Sequence, residues 1–335
     1  MKGLNLGVWV TRKSLENIES IEEMLKKIAR LGISRAYVQV VGRADAHYRS
    51  VVLPRAEELE SDLDGLQKSI DLARDLSVNI SAWMNVNLVW SFGKRPLSPE
   101  HVVNAHPDWI TYDRNGLSML DYSSSDLDEV FGPFIDPGVP EVKAFTAAIA
   151  KEIAGYDVEE VHLDFVRYPF LDFGYNPLAL KYYERWSKKT GVFDSEESFE
   201  SFRLDSVTEQ VRMISQAVRE QGKKLSCAVF DDYSERAVRE RLQPWMSWLE
   251  DGLIDSAVVM AYGKDPEEVI RRVDNLSRLH GSLKGIRIGL GAFNYSSRLD
   301  TFMGLIERTL EYEPDEITLF ALSSIDKELE EKLSI

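Results

Sequence analysis

The sequence predicts an α/β chain folded as a (β/α)₈ barrel. Three observations carry this reading. Strand-like and helix-like segments alternate about eight times along the 335 residues. Most of the strand-like runs are continuously apolar and rich in Val, Ile and Leu, as strands covered on both faces are. No glycine-rich dinucleotide fingerprint follows the first strand, which argues against an open nucleotide-binding sheet.

The first strand spans 6–11, and a helix at 21–31 sets Ile21, Met24, Leu25, Ile28 and Leu31 on one face, with Gly32 as its C-cap. The second strand, 35–41, leads to a helix at 64–76 that aligns Leu66, Ile70, Leu72, Ala73 and Leu76. The third strand, 79–86, opens into a long connection, 90–138, and the next helix, 140–154, starts with a proline in its first turn. The fourth strand, 159–165, opens into a second long connection, 169–202, which holds a helix at 177–189. A helix at 206–221 then precedes strands at 225–230 and 256–262, a helix at 266–279, a strand at 287–292, a helix at 298–310, a strand at 316–322 and a last helix at 327–333. Both long connections leave strand C-termini, the end at which such a barrel carries its active site. No linker, repeat or low-complexity tract divides the chain, so residues 1–335 are expected to form one domain.

A formal net charge of -16 repels phosphate backbones and anionic membrane surfaces, so nucleic acid is not expected as a partner. The single cysteine, Cys227, lies in an apolar run and reads as a buried, inert thiol that excludes an intramolecular disulfide and a thiolate metal cluster. The five histidines show no paired ligand spacing, so neither a metal nor another cofactor is expected. No leader is visible and no apolar run approaches membrane-spanning length. The expectation is a soluble chain, cytoplasmic as it stands or secreted or periplasmic if a leader has been removed. Abundant Glu, Lys and Arg with one Cys would suit a thermophile. Oligomeric state is not written in the sequence.

The stretch Glu159-Glu160-Val161-His162-Leu163-Asp164-Phe165-Val166-Arg167-Tyr168-Pro169 concentrates the chemistry. Strand alternation puts Val161, Leu163 and Phe165 on one face and His162 and Asp164 on the other. A carboxylate at the C-terminal end of a buried strand is costly unless it is paired or working. A structural ion pair between Asp164 and Arg167 is the alternative, and both roles can coexist.

Several spaced motifs resemble the bacterial glycosyl-hydrolase-like family ten, whose members have a TIM barrel. They are Gly7-Val8-Trp9-Val10-Thr11, Gln39-Val40-Val41-Gly42-Arg43-Ala44-Asp45-Ala46-His47-Tyr48, Ala82-Trp83-Met84-Asn85, His106-Pro107-Asp108-Trp109 and Ile135-Asp136-Pro137-Gly138-Val139-Pro140-Glu141-Val142. His162 through Pro169, Gln243-Pro244-Trp245 and Met260-Ala261-Tyr262 follow in order. The resemblance implies glycan hydrolysis, with bacterial cell-wall glycans one substrate class among relatives. Many members carry a second Asp directly after the fourth-strand Asp, whereas here that position is Phe165.

Glycosidic cleavage needs a protonated carboxyl at the leaving oxygen and a second negative group at the anomeric carbon. Asp164 is the candidate acid. Asp232 is the expected partner, with Asp231 the alternative, because one of the two should face the barrel mouth after the fifth strand. Tyr262, ending the sixth strand, could hydrogen-bond a sugar carbonyl, and an N-acetylated substrate could supply its own nucleophile beside it. Sugars present apolar faces and fans of hydroxyls, which flat aromatics, amides and guanidinium groups match. Trp9, Arg43, Asp45, Trp83, Asn85, Asn87, Arg167, Gln243 and Trp245 are therefore the expected carbohydrate-binding residues, and two or three among Trp9, Trp83, Trp90, Trp109 and Trp245 should line the cleft. Competing functions are a glycan-binding barrel without turnover, which Phe165 favours, and a polysaccharide lyase in which Arg43 and Arg167 neutralise a uronate. A deacetylase would usually need metal ligands, and none cluster here.

Overall fold

The computed structural model describes residues 5–127, 130–192 and 195–333. Eight strands, β1 (Leu6–Val10), β2 (Arg35–Val41), β3 (Asn79–Asn85), β4 (Glu160–Asp164), β5 (Lys224–Phe230), β6 (Ser256–Met260), β7 (Ile286–Gly291) and β8 (Glu316–Phe320), close into a barrel in chain order. All pairings are parallel, and Leu6 of β1 stands beside Ile317 of β8 where the sheet closes.

Alternation along the strands divides the apolar residues between two clusters. Val8, Val38, Val161, Leu163, Val229 and Ile288 point outward into the main core beneath the helices. Trp9, Tyr37, Trp83, Ala228 and Val258 point inward and form a smaller cluster inside the barrel. Its N-terminal end is ionic. Arg35 pairs with Glu316 at 2.8 Å, and Arg287 with Glu160 at 2.6 Å. The Tyr37 hydroxyl donates to Glu316 and accepts from Arg287, both at 2.7 Å. Buried charges persist when each finds a partner in this way. Two glycines make the packing possible. A Cβ at Gly7 would meet Glu316 Oε1 at 2.3 Å, and one at Gly289 would meet the Trp9 ring at 2.7 Å.

The predicted strands are present: four end a residue or two early, the one at 159–165 is trimmed at both ends, 35–41 matches, 225–230 starts one residue earlier and 287–292 is shifted back by one. The predicted helix at 206–221 is longer than expected and runs over Glu196–Arg219, opened by a reciprocal Ser195–Ser198 capping box. A short helix at Trp245–Glu250 and a π-helix at Tyr233–Glu240 were not anticipated. The connection after β3 is a folded cap: Leu88 pairs antiparallel with Phe134, and Ile110 with Ile135. Buried Asp136 anchors it, accepting hydrogen bonds from Thr111 Oγ1, Tyr168 Oη and the Gly138 amide. No helix among the described residues is long and apolar enough to cross a membrane.

Candidate active site at the barrel mouth

The C-terminal ends of the strands enclose a cavity of about 610 Å³, within the range of ligand sites. Asp164 closes β4, on the same inward parity as Glu160 and His162 and level with Asn85 of β3. Asp164 is the one carboxylate lining the cavity among the described residues. Its Oδ1 accepts the Phe165 amide at 2.7 Å. Burial pushes its pKa from 3.8 up to about 6, although that bond and the Arg167 charge both pull it down. A side chain partly open to the cavity and half protonated near pH 6 is suited to general acid work.

The backbone turns sharply past Asp164. Phe165 has φ +53°, and the Arg167 amide donates to its carbonyl at 3.0 Å. An aromatic residue in the left-handed region is a genuine outlier and costs about 1–3 kcal/mol. The turn brings the Phe165 ring to the cavity, 5.0 Å from the Arg167 guanidinium.

Tyr262 lines the cavity beside Asp164, and burial together with the Asp164 charge keeps its hydroxyl protonated. Trp9 forms part of the same wall. Its indole N–H donates to His162 Nε2 at 3.1 Å, so the proton of this neutral imidazole lies on Nδ1, which donates to Ser226 Oγ at 2.9 Å. Burial holds the His162 pKa down to about 3. Trp83 donates to Asn85 Oδ1 at 3.0 Å, and Asn85 Nδ2 donates to the Gly42 carbonyl at 2.8 Å. Arg43 stacks on Trp90, 4.5 Å from the ring centre, and its charge is shared by Asp45 and Glu58.

Asp164, Tyr262, Trp9, Arg43, Trp83, Asn85 and Arg167 thus converge at the cavity, with Trp90. The remaining expected residues do not line it. Asp232 caps the π-helix by accepting the Glu235 amide at 3.2 Å, and Asp231 is held by Arg272 at 2.8 Å. Both line a separate surface pocket. Asp45 is buried as the partner of Arg43. Asn87 is fully buried against Gln210, Gln243 bonds the backbone of β5 at Ala228 and Phe230, and the Trp245 indole donates to the Phe230 carbonyl. Trp109 stacks on His106 at 3.9 Å, outside the cavity.

Further lining residues were not anticipated. Phe230 and Phe320 share the inward parity of Ala228 and Thr318, so alternation alone could have found them. Phe131 sits in a loop and Phe293 in a single 3-10 turn after β7, where strand alternation does not mark direction. No group of His, Cys, Asp and Glu among the described residues could hold a metal ion.

The sequence profile of a family described as glycosyl hydrolase-like 10 matches residues 6–289. The chain is similar to glycosyl hydrolase YngK of Bacillus subtilis (strain 168), 25% identical over 223 residues, which covers 63% of this chain and 40% of that protein. Among solved structures it is similar to the PgaB (BpsB) glycoside hydrolase domain from Bordetella bronchiseptica, with TM-score 0.71 and 11% identity over 99% of this chain and 98% of that one. It is also similar to alpha-L-fucosidase isoenzyme 2 from Paenibacillus thiaminolyticus, with TM-score 0.66 and 12% identity over 99% of this chain and 48% of that one. At such identities these two likenesses show the barrel fold alone.

Proposed function

This chain belongs to the glycosyl hydrolase-like 10 family, and from that premise we propose that it hydrolyses an N-acetylated glycan with Asp164 as general acid. One observation carries the reading: a single carboxylate, its pKa raised to about 6, lines the cavity among the described residues. Protonated Asp164 gives its proton to the leaving glycosidic oxygen. The substrate's acetamido oxygen attacks the anomeric carbon from the opposite face, and the C–O bond breaks as the cyclic intermediate closes. Water then opens that intermediate with Asp164, now a carboxylate, as base, so configuration is retained. Tyr262 keeps its proton and can donate a hydrogen bond to the acetamide. Trp9 and Trp83, both nearly fully buried, line the cavity that holds the sugar ring in this reading.

The test compares N-acetylglucosamine oligomers with their deacetylated counterparts. Cleavage of the first and not the second, lost in Asp164→Asn, is expected. Equal cleavage of both would overturn the assisted step. Binding without cleavage would favour the second reading, a glycan-binding barrel. Phe165 supports that alternative by placing an apolar ring next to Asp164.

A further inference from the structure

Two exposed phenylalanines stand at the cavity rim. Phe131 is 66% exposed and Phe293 48%, and both line the cavity. Neither is a loose side chain. Phe131 packs edge-on against Phe165, with ring centres 6.4 Å apart. Its carbonyl accepts the Phe92 amide, and Val89 bonds Pro133 beside it, so a short antiparallel ribbon carries the ring. A side chain at Gly132 would strike the Trp90 carbonyl at 1.9 Å, so this ribbon lies directly on the backbone of Trp90. Phe293 packs edge-on against Tyr262 at 6.0 Å and Phe320 at 6.2 Å.

Barrel order gives the pair its meaning. Phe131 is on the connection that leaves β3, and Phe293 follows β7, four strands away in a closed ring of eight, so their loops face each other across the mouth. The line between them leaves Asp164 of β4 and Tyr262 after β6 on one flank. Trp9 of β1 and Phe320 of β8 lie on the other. A second cavity, of about 290 Å³, shares Trp90 and Ser91 with the first.

We infer that a glycan chain lies along this line, with one sugar stacked on Phe131 and another on Phe293, so that Asp164 acts on an internal bond. The inference rests on the glycoside hydrolase reading above and adds the direction and extent of the bound chain. A pyranose has an apolar face of CH groups that a benzene ring covers, and ring pairs held apart by the cavity engage only a ligand of several sugars.

The experiment measures calorimetric binding of N-acetylglucosamine oligomers, two to six sugars long, to Asp164→Asn protein with and without Phe131→Ala or Phe293→Ala. It also follows wild-type and single-variant cleavage products over time. Circular dichroism confirms that these surface variants fold. Each phenylalanine variant is expected to weaken the longest oligomers about tenfold while leaving the disaccharide unchanged. Each should also shift the cleavage position along the chain. If wild-type protein cleaves the oligomers but both variants bind and cut as wild type does, the groove assignment is overturned and the hydrolase reading stands. If no oligomer binds or is cleaved by any of the proteins, both readings are overturned.

Discussion

At Asp164 the demands of stability and chemistry oppose each other. Its carboxyl titrates near 3.8 in the unfolded chain and near 6 in the fold. Below the lower value it is protonated in both states and burial costs nothing extra. As pH rises the unfolded chain releases the proton first, so above pH 6 the fold carries a penalty of up to about 3 kcal/mol. Asp164→Asn is therefore expected to raise unfolding free energy by about 1–3 kcal/mol near pH 8, to change little near pH 3.5, and to abolish turnover. Denaturant melts at the two pH values, with an activity assay, check this. In the wild type the acid form disappears through pH 6, so kcat/KM should fall on the alkaline side with an apparent pKa near that value. Much of the site was legible because strand parity fixes which way a residue on a strand points. Trp9, Trp83, Asn85 and Asp164 all follow it. Parity ends where the ladder ends. Asn87 turns to Gln210, a partner 123 positions away, and nothing in the sequence announces such a contact.

At the scale of elements, the same limit separates what was readable from what was not. Eight buried strands declare themselves by composition, since each is covered by helices outside and side chains inside. The start of the Glu196–Arg219 helix was hidden because Phe199 and Phe202 serve a different cluster, with Tyr183, from the residues farther along. Extending the parity of β5 past its end puts Asp232 at the mouth, but the π-helix begins there and Asp232 caps it instead. Asp232→Ala should cost about 1 kcal/mol through loss of an N-cap and leave turnover intact. A thermal melt and a rate measurement test both halves of that statement, and loss of turnover would return Asp232 to the chemistry. Asn87→Ala removes both side-chain bonds between the β3 connection and Gln210. The orphaned amide should cost about 1–3 kcal/mol in denaturant melts, with KM changed less than stability.

For the whole molecule, the ionic end of the barrel sets the response to acid. Glu160 is held down to about 2 from 4.5, chiefly by Arg287 working against burial, and His162 down to about 3 from 6.5 by burial. Both stabilities are present at neutral pH. The His162 contribution is lost as pH falls from 6.5 toward 3, and the Glu160 contribution as it falls from 4.5 toward 2. Melting temperature should therefore decline in two overlapping steps on acidification, and Glu160→Gln should remove the lower one. That substitution also strands Arg287, which should cost about 3–5 kcal/mol at neutral pH. The wiring of this ring has a further consequence. A cut between β4 and β5 leaves Arg35 and Glu160 on one piece and Arg287 and Glu316 on the other, yet the shortest pairs, Arg35 with Glu316 and Glu160 with Arg287, cross the cut. Each fragment is charge-balanced in the ring and finds its closest partners on its complement, although Arg35 also meets Glu159 at 3.1 Å within its own piece. The two fragments, produced separately and mixed, should reassemble into a catalytically competent whole, and the ring would act as a recognition code between halves.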